Sequence, residues 1–135
     1  MWKIVRTLGL HVSDKDRRSD HRTELIGRKT FMANKVRIGV LGAGRIGQLH
    51  ITNLVQAVPG AEVVAVADPY LSDAAVELCK GLGIENVSKD PEIVFGNKDI
   101  DAVFICSSTN THADFIIEAA KAGKHIFCEK PVDYD

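Results

Sequence analysis

Residues 36–47 read Val36-Arg37-Ile38-Gly39-Val40-Leu41-Gly42-Ala43-Gly44-Arg45-Ile46-Gly47, and Asp68 closes the next apolar run. Val36, Ile38, Val40 and Leu41 make the short aliphatic run of a buried parallel strand. Gly42, Gly44 and Gly47 then supply G-x-G-x-x-G, and the apolar periodicity from Arg45 to Ala57 predicts a helix. The three glycines have separate duties. Gly42 allows a tight turn, Gly44 lets a pyrophosphate approach the backbone, and Gly47 lets the helix pack close on the strand. The helix start, with Ala43, Arg45 and Ile46 in and beside the turn, offers unpaired N–H groups and about half a positive charge to an anion. Ala61 to Ala67 predicts a second strand, and Asp68 falls about 20 residues past the motif, where a carboxylate accepts hydrogen bonds from an adenosine ribose. Asp68 also suits a turn or helix cap before Pro69. Together these residues describe a dinucleotide site. No cation follows Asp68 directly, only Pro69, Tyr70 and Leu71, so a 2′-phosphate would meet bare negative charge. NAD is therefore expected rather than NADP.

The bulk properties exclude several other classes. The chain has 135 residues, 45% apolar and 26% charged, which suits one domain with a real core. The formal charge of −1 hides an asymmetry. Residues 1–34 carry eight Lys/Arg against four Asp/Glu, whereas residues 35–135 carry nine against fourteen. An acidic domain is a poor nucleic-acid surface. Cys79, Cys106 and Cys128 are odd in number, lack C-x-x-C spacing and sit in apolar runs. They read as small buried hydrophobes in a reducing cytoplasm, with neither a disulfide framework nor a metal site. No apolar stretch approaches the roughly 20 residues of a membrane span, and the N-terminus lacks a signal-peptide core.

Residues 1–31 show no sustained period, and Met32-Ala33-Asn34-Lys35 leads straight into the first strand. The expected organisation is a non-native or disordered extension over 1–31 and a dinucleotide-binding domain over 32–135, with translation starting at Met32. A flexible basic arm is the alternative, and four acidic residues argue against a transit peptide.

The second half predicts further alternation of helix and strand. Leu71 to Leu82 has helical spacing, and a weak strand is expected near Asn86 to Ser88. Asp90-Pro91-Glu92 reads as an N-cap with proline at the first helical position, opening a short helix to Phe95. Asp101 to Cys106 predicts a fourth strand, Thr111 to Ala122 a helix, and His125 to Cys128 a fifth strand. Such alternation implies an α/β, Rossmann-type, doubly wound parallel sheet with its ligand at the carboxyl ends of the strands. Ser107 to Asn110 and Glu129 to Pro131 fall at that same edge.

Val-Phe-Ile-Cys-Ser-Ser-Thr-Asn-Thr-His-Ala-Asp, followed by an Ala-rich helix and Ala-Gly-Lys-His-Ile-Phe-Cys-Glu-Lys-Pro, resembles the N-terminal NAD-binding domain of the Gfo/Idh/MocA oxidoreductases, nearest their inositol 2-dehydrogenase branch. The resemblance covers residues 35–135. Where that family often has Thr-Pro-Asn-x-x-His, this chain keeps His112 but places Ser108 and Thr109 at the Pro and Asn positions. It implies that Lys130 is catalytic, near the nicotinamide and the substrate hydroxyl, and that the bond before Pro131 is cis. Ser107, Ser108, Thr109, Asn110, His112 and Glu129 join the expected cofactor contacts. Taken alone, Lys130 also suits a surface position after a strand, and the hydroxyls suit helix caps. His50 and His125 read as scaffold residues.

The resemblance further implies a second domain, an open antiparallel sheet that supplies the substrate pocket, an Asp and His beside the lysine, and the oligomer interface. The sequence closes four residues after Pro131. The expectation is thus the nucleotide-binding portion of a dehydrogenase for a cyclitol or sugar, inactive alone. The second reading is a stand-alone NAD-binding module or sensor that works with a partner chain.

Overall fold

The computed structural model describes residues 35–134. The expectations for residues 1–31 lie outside the described residues. From Lys35 the chain enters β1 (Val36–Leu41), α1 (Arg45–Ala57), β2 (Ala61–Ala67), α2 (Asp73–Gly81) and β3 (Val87–Ser88). It continues through α3 (Glu92–Phe95), β4 (Ala102–Ile105), a single 3₁₀ turn (Thr109–Thr111), α4 (His112–Lys121) and β5 (His125–Cys128). All four strand pairings are parallel, in the order β3-β2-β1-β4-β5.

Each expected element is present, and the boundaries shift for local reasons. The second helix begins at Asp73 rather than Leu71 because the Ser72 hydroxyl accepts the Ala75 N–H at 3.2 Å and so sets its cap. The short helix begins at Glu92 with Pro91, not Asp90, as its N-cap; Asp90 stands one residue earlier, where its Oδ1 accepts the Glu92 N–H at 2.9 Å and closes the turn into the helix. The last helix starts one residue after Thr111, because Thr109–Thr111 forms the tighter turn.

The sheet is covered on both faces. Ile38 and Val40 of β1, with Val63 and Val66 of β2, pack against Ile51 and Leu54 of α1 and Ala75 and Cys79 of α2. Leu41, Ala65, Val103 and Ile105 pack against Val94 of α3 and Ala119 of α4. Val40, Ile51, Val66, Val94, Val103 and Ile105 are all fully buried, and each side chain contributes about 1.5–3 kcal/mol of transfer free energy. This two-sided cover explains why the strands read as unbroken apolar runs.

Topology then fixes where a ligand goes. The chain leaves β1 for β2 and β3 on one side, and returns to β4 and β5 on the other. The register sets Leu41 opposite both Ala67 and Ile105. The next residues, Gly42, Asp68 and Cys106, therefore stand together at the carboxyl edge, at the point where strand order reverses.

The candidate nucleotide cleft

The glycine turn is shaped by what surrounds it. Gly42 has φ +98°, and a Cβ there would stand 2.5 Å from the Ser107 nitrogen. A Cβ at Gly47 would fall on the carbonyl oxygen of Gly42. Gly44 is different: a Cβ there would meet nothing within 4 Å. The protein does not need that space; a ligand can use it. Gly44 is also the N-cap of α1, with no side-chain cap and no acidic residue in the first turn. The N–H groups of Arg45, Ile46 and Gly47 precede the first intrahelical bond, Gln48 N–H to Gly44 O at 2.9 Å, and are available to an anion.

Asp68 faces this turn. Its Oδ2 accepts the Ala43 N–H at 2.6 Å and its Oδ1 accepts the Tyr70 N–H at 2.8 Å. The turn role and the ligand role of Asp68 are compatible, since an ionised carboxylate has about four acceptor sites and two are used. Gln48 Nε2 donates to the Ala43 carbonyl at 2.9 Å and braces the turn from the helix side.

These groups border a cleft of about 740 Å³. Of the expected contacts, Ala43, Gly44, Arg45, Ile46, Asp68, Ser107, Ser108 and Asn110 line it. Gly42, Gly47, Thr109, His112, Glu129 and Lys130 do not; the two glycines act behind the wall, as their crowded surroundings show. The cleft also takes Gln48, Pro69, Tyr70, Ser72, Thr111 and Phe115, which the sequence pattern did not single out as contacts. Tyr70 is 90% exposed, an open aromatic face beside Asp68. The Ser107 hydroxyl pairs with that of Thr111 at 2.7 Å, and Thr111 Oγ1 donates to the Ser108 carbonyl. Cys106 forms part of the floor, and burial pushes its thiol up to about 12, so it is a packing group and not a nucleophile.

His112 opens α4 almost wholly buried, with Nδ1 at 2.8 Å from the Pro131 carbonyl and Nε2 at 2.9 Å from the Ser107 carbonyl. It ties the loop after β4 to the segment after β5. The Lys130–Pro131 bond is cis, as the resemblance implies. Glu129 is held by His50, whose Nε2 lies 2.6 Å from its Oε1. That hydrogen bond holds the Glu129 carboxyl below the usual carboxylate range. His50, read as scaffold from sequence, thus contacts the Glu-Lys-Pro segment. Its one sequence signal is the position three residues past Gly47, on the same helix face. Among the described residues, no group of His, Cys, Asp and Glu is arranged to hold a metal, and no helix is long and apolar enough to cross a membrane.

Residues 36–135 match the Gfo/Idh/MocA sequence family, described as an oxidoreductase family with an NAD-binding Rossmann fold. The chain belongs to this family. It is 50% identical over 101 residues to the scyllo-inositol 2-dehydrogenase (NAD(+)) of Bacillus subtilis, covering 75% of this chain and 29% of that one. It is 45% identical over 97 residues to the myo-inositol 2-dehydrogenase of Thermotoga maritima, covering 72% and 28%. The crystal structure of a Lactobacillus casei scyllo-inositol dehydrogenase with bound NAD(H) and scyllo-inositol superposes with a TM-score of 0.69 at 37% identity, over 76% of this chain and 30% of that one. The chain thus spans less than a third of the length of these Gfo/Idh/MocA relatives, and its own part is the NAD-binding Rossmann domain.

Proposed function

We propose that this domain is the cofactor-holding part of an oxidoreductase that takes hydride from a secondary alcohol of a cyclitol or sugar. The observation that carries the reading is the open space at Gly44, set between the bare start of α1 and the Asp68 carboxylate. Bound NAD supplies the hydride acceptor. The chain's own residues do the rest: the N–H groups of Arg45 to Gly47 hold the pyrophosphate, and the spare lone pairs of Asp68 take the ribose diol. Ser107, Ser108 and Asn110 border the far side of the cleft and contact the cofactor there. Lys130 is the group we assign to the nicotinamide end, where its ammonium hydrogen-bonds the substrate hydroxyl and shares in moving its proton.

Hydride transfer needs donor and acceptor held about 3–3.5 Å apart in a site closed to water. Nothing among the described residues covers the cleft from above. We therefore expect residues 35–134 to bind NAD without turnover, the cyclitol or sugar being held by a further domain of the kind the longer relatives have room for. The three free thiols suit a reducing cytoplasm. The experiment is a paired one, an NADH fluorescence titration and an NAD reduction assay with myo-inositol and scyllo-inositol. Saturable NADH binding without reduction supports the reading, and reduction at an ordinary enzyme rate overturns the inactivity of the isolated domain.

A further inference from the structure

One contact network at the end of β5 lies outside the cleft. His50 on α1 sets its ring edge-on against Phe127 and Phe104, with centroids 5.3 and 6.1 Å away. The two phenylalanines stack at 4.5 Å with an interplanar angle of 21°, giving the imidazole a fixed apolar seat. From that seat Nε2 reaches Glu129 Oε1 at 2.6 Å, while the other oxygen of the same carboxylate accepts the backbone N–H of Lys130 at 3.2 Å. The pair is largely withdrawn from water, His50 being 22% and Glu129 17% exposed. An unbroken chain of contacts runs from a helix ring to the main chain of the lysine.

We propose that His50 is a positioning residue for Lys130, acting through the Glu129 carboxylate. The inference rests on the reading of Lys130 as the group at the nicotinamide end. Backbone pairing of β5 with β4 ends at the Glu129 N–H to Ile105 O bond of 2.9 Å. Beyond it, side chains hold the strand's exit: His50 through Glu129 on one flank, His112 through the Pro131 carbonyl on the other. A lysine side chain has a long, freely rotating stem, so a defined reach requires a pinned backbone. His50 also sits on the helix whose start forms the phosphate seat. One rigid element thereby sets the span between pyrophosphate and lysine.

The test uses the full chain with its lysines reductively ¹³C-methylated and the Lys130 signal assigned by its loss in Lys130→Arg. At saturating NAD the Lys130 signal is expected to shift. In His50→Leu that shift should at least halve, and His50→Gln, whose amide keeps an N–H donor toward Glu129, should restore most of it. Glu129→Ala breaks the same path from its other end and should match His50→Leu, which keeps the test alive if the leucine variant does not fold. A full-sized shift in His50→Leu or in Glu129→Ala overturns the proposal. A wild-type Lys130 signal indifferent to NAD, while NADH fluorescence saturates, overturns instead the assignment of Lys130 on which the proposal rests.

Discussion

The Asp68 carboxylate accepts the backbone N–H of Ala43 at 2.6 Å across 25 residues of chain. The end of β2 is thereby bound to the glycine turn after β1, and the acid expected to read a ribose also shapes the loop proposed to seat the phosphates. Asp68→Ala should therefore cost more than one ligand contact. It removes the proposed ribose acceptor and frees the N–H groups of both Ala43 and Tyr70, so NADH affinity should fall about tenfold or more. The preference for NADH over NADPH should shrink as the negative charge goes. Parallel fluorescence titrations with the two cofactors check this, and an unchanged ratio contradicts it.

Gly44 and Gly47 separate binding from folding. Gly44→Ala puts its methyl into open cleft space, so the urea midpoint should move by less than about 1 kcal/mol equivalent while NADH affinity falls about tenfold. Gly47→Ala drives its methyl into the Gly42 carbonyl, and stability should fall by about 1–3 kcal/mol or more. Equal effects of the two substitutions on both readouts would show that the turn does not divide its labour in this way.

Lys124 is 9% exposed, and its ammonium donates to the carbonyls of Asn97 at 2.6 Å and Ile100 at 3.0 Å. Lys124→Met keeps the stem's packing but strips both carbonyls of their donor. Urea unfolding should show a loss of about 2 kcal/mol with NADH affinity little changed once folded.

Cys106 ties stability to alkaline pH. Burial, with smaller contributions from Glu129 and Cys128, raises its thiol from 9.0 to about 12 in the folded chain. The unfolded chain releases that proton first, so the contribution is fully present below 9.0 and is lost across the window from 9.0 to about 12. Cys106→Val should flatten that part of the stability profile relative to the unaltered chain. The folded thiol should also resist maleimide and react on denaturation.

Glu129 acts at the acid end with the opposite sign. The His50 hydrogen bond lowers its carboxyl below the ordinary 4.5, so its contribution is present above 4.5 and is lost as pH falls through the lowered value. Acid unfolding of Glu129→Gln should lack that component. A profile that superposes on the unaltered chain would mean the contact is not made in solution.

The sequence made the sheet legible because its logic is local. β1, β2 and β4 are apolar runs, and Gly42, Ser72, Asp90 and Gly123 punctuate them with recognisable turn and cap chemistry. The glycine-turn wall of the cleft was legible for the same reason: the G-x-G-x-x-G spacing fixes turn and helix start within twelve residues. The rest depends on register. His50 meets Glu129 from 79 residues away only because α1, β4 and β5 stack in that order. Tyr70, in the turn after β2, and Phe115, on the first turn of α4, reach the cleft because the segments after different strands converge on one edge. Nothing in their immediate neighbours announces this.

The most direct measurement is the titration of the purified chain with NADH and NADPH by enhanced nicotinamide fluorescence, repeated on Gly44→Ala. Saturable NADH binding, markedly weaker NADPH binding and a loss of affinity in the folded glycine variant are the predicted results. Absence of saturable binding, or NADPH binding as tightly as NADH, would contradict the placing of NAD between the start of α1 and Asp68.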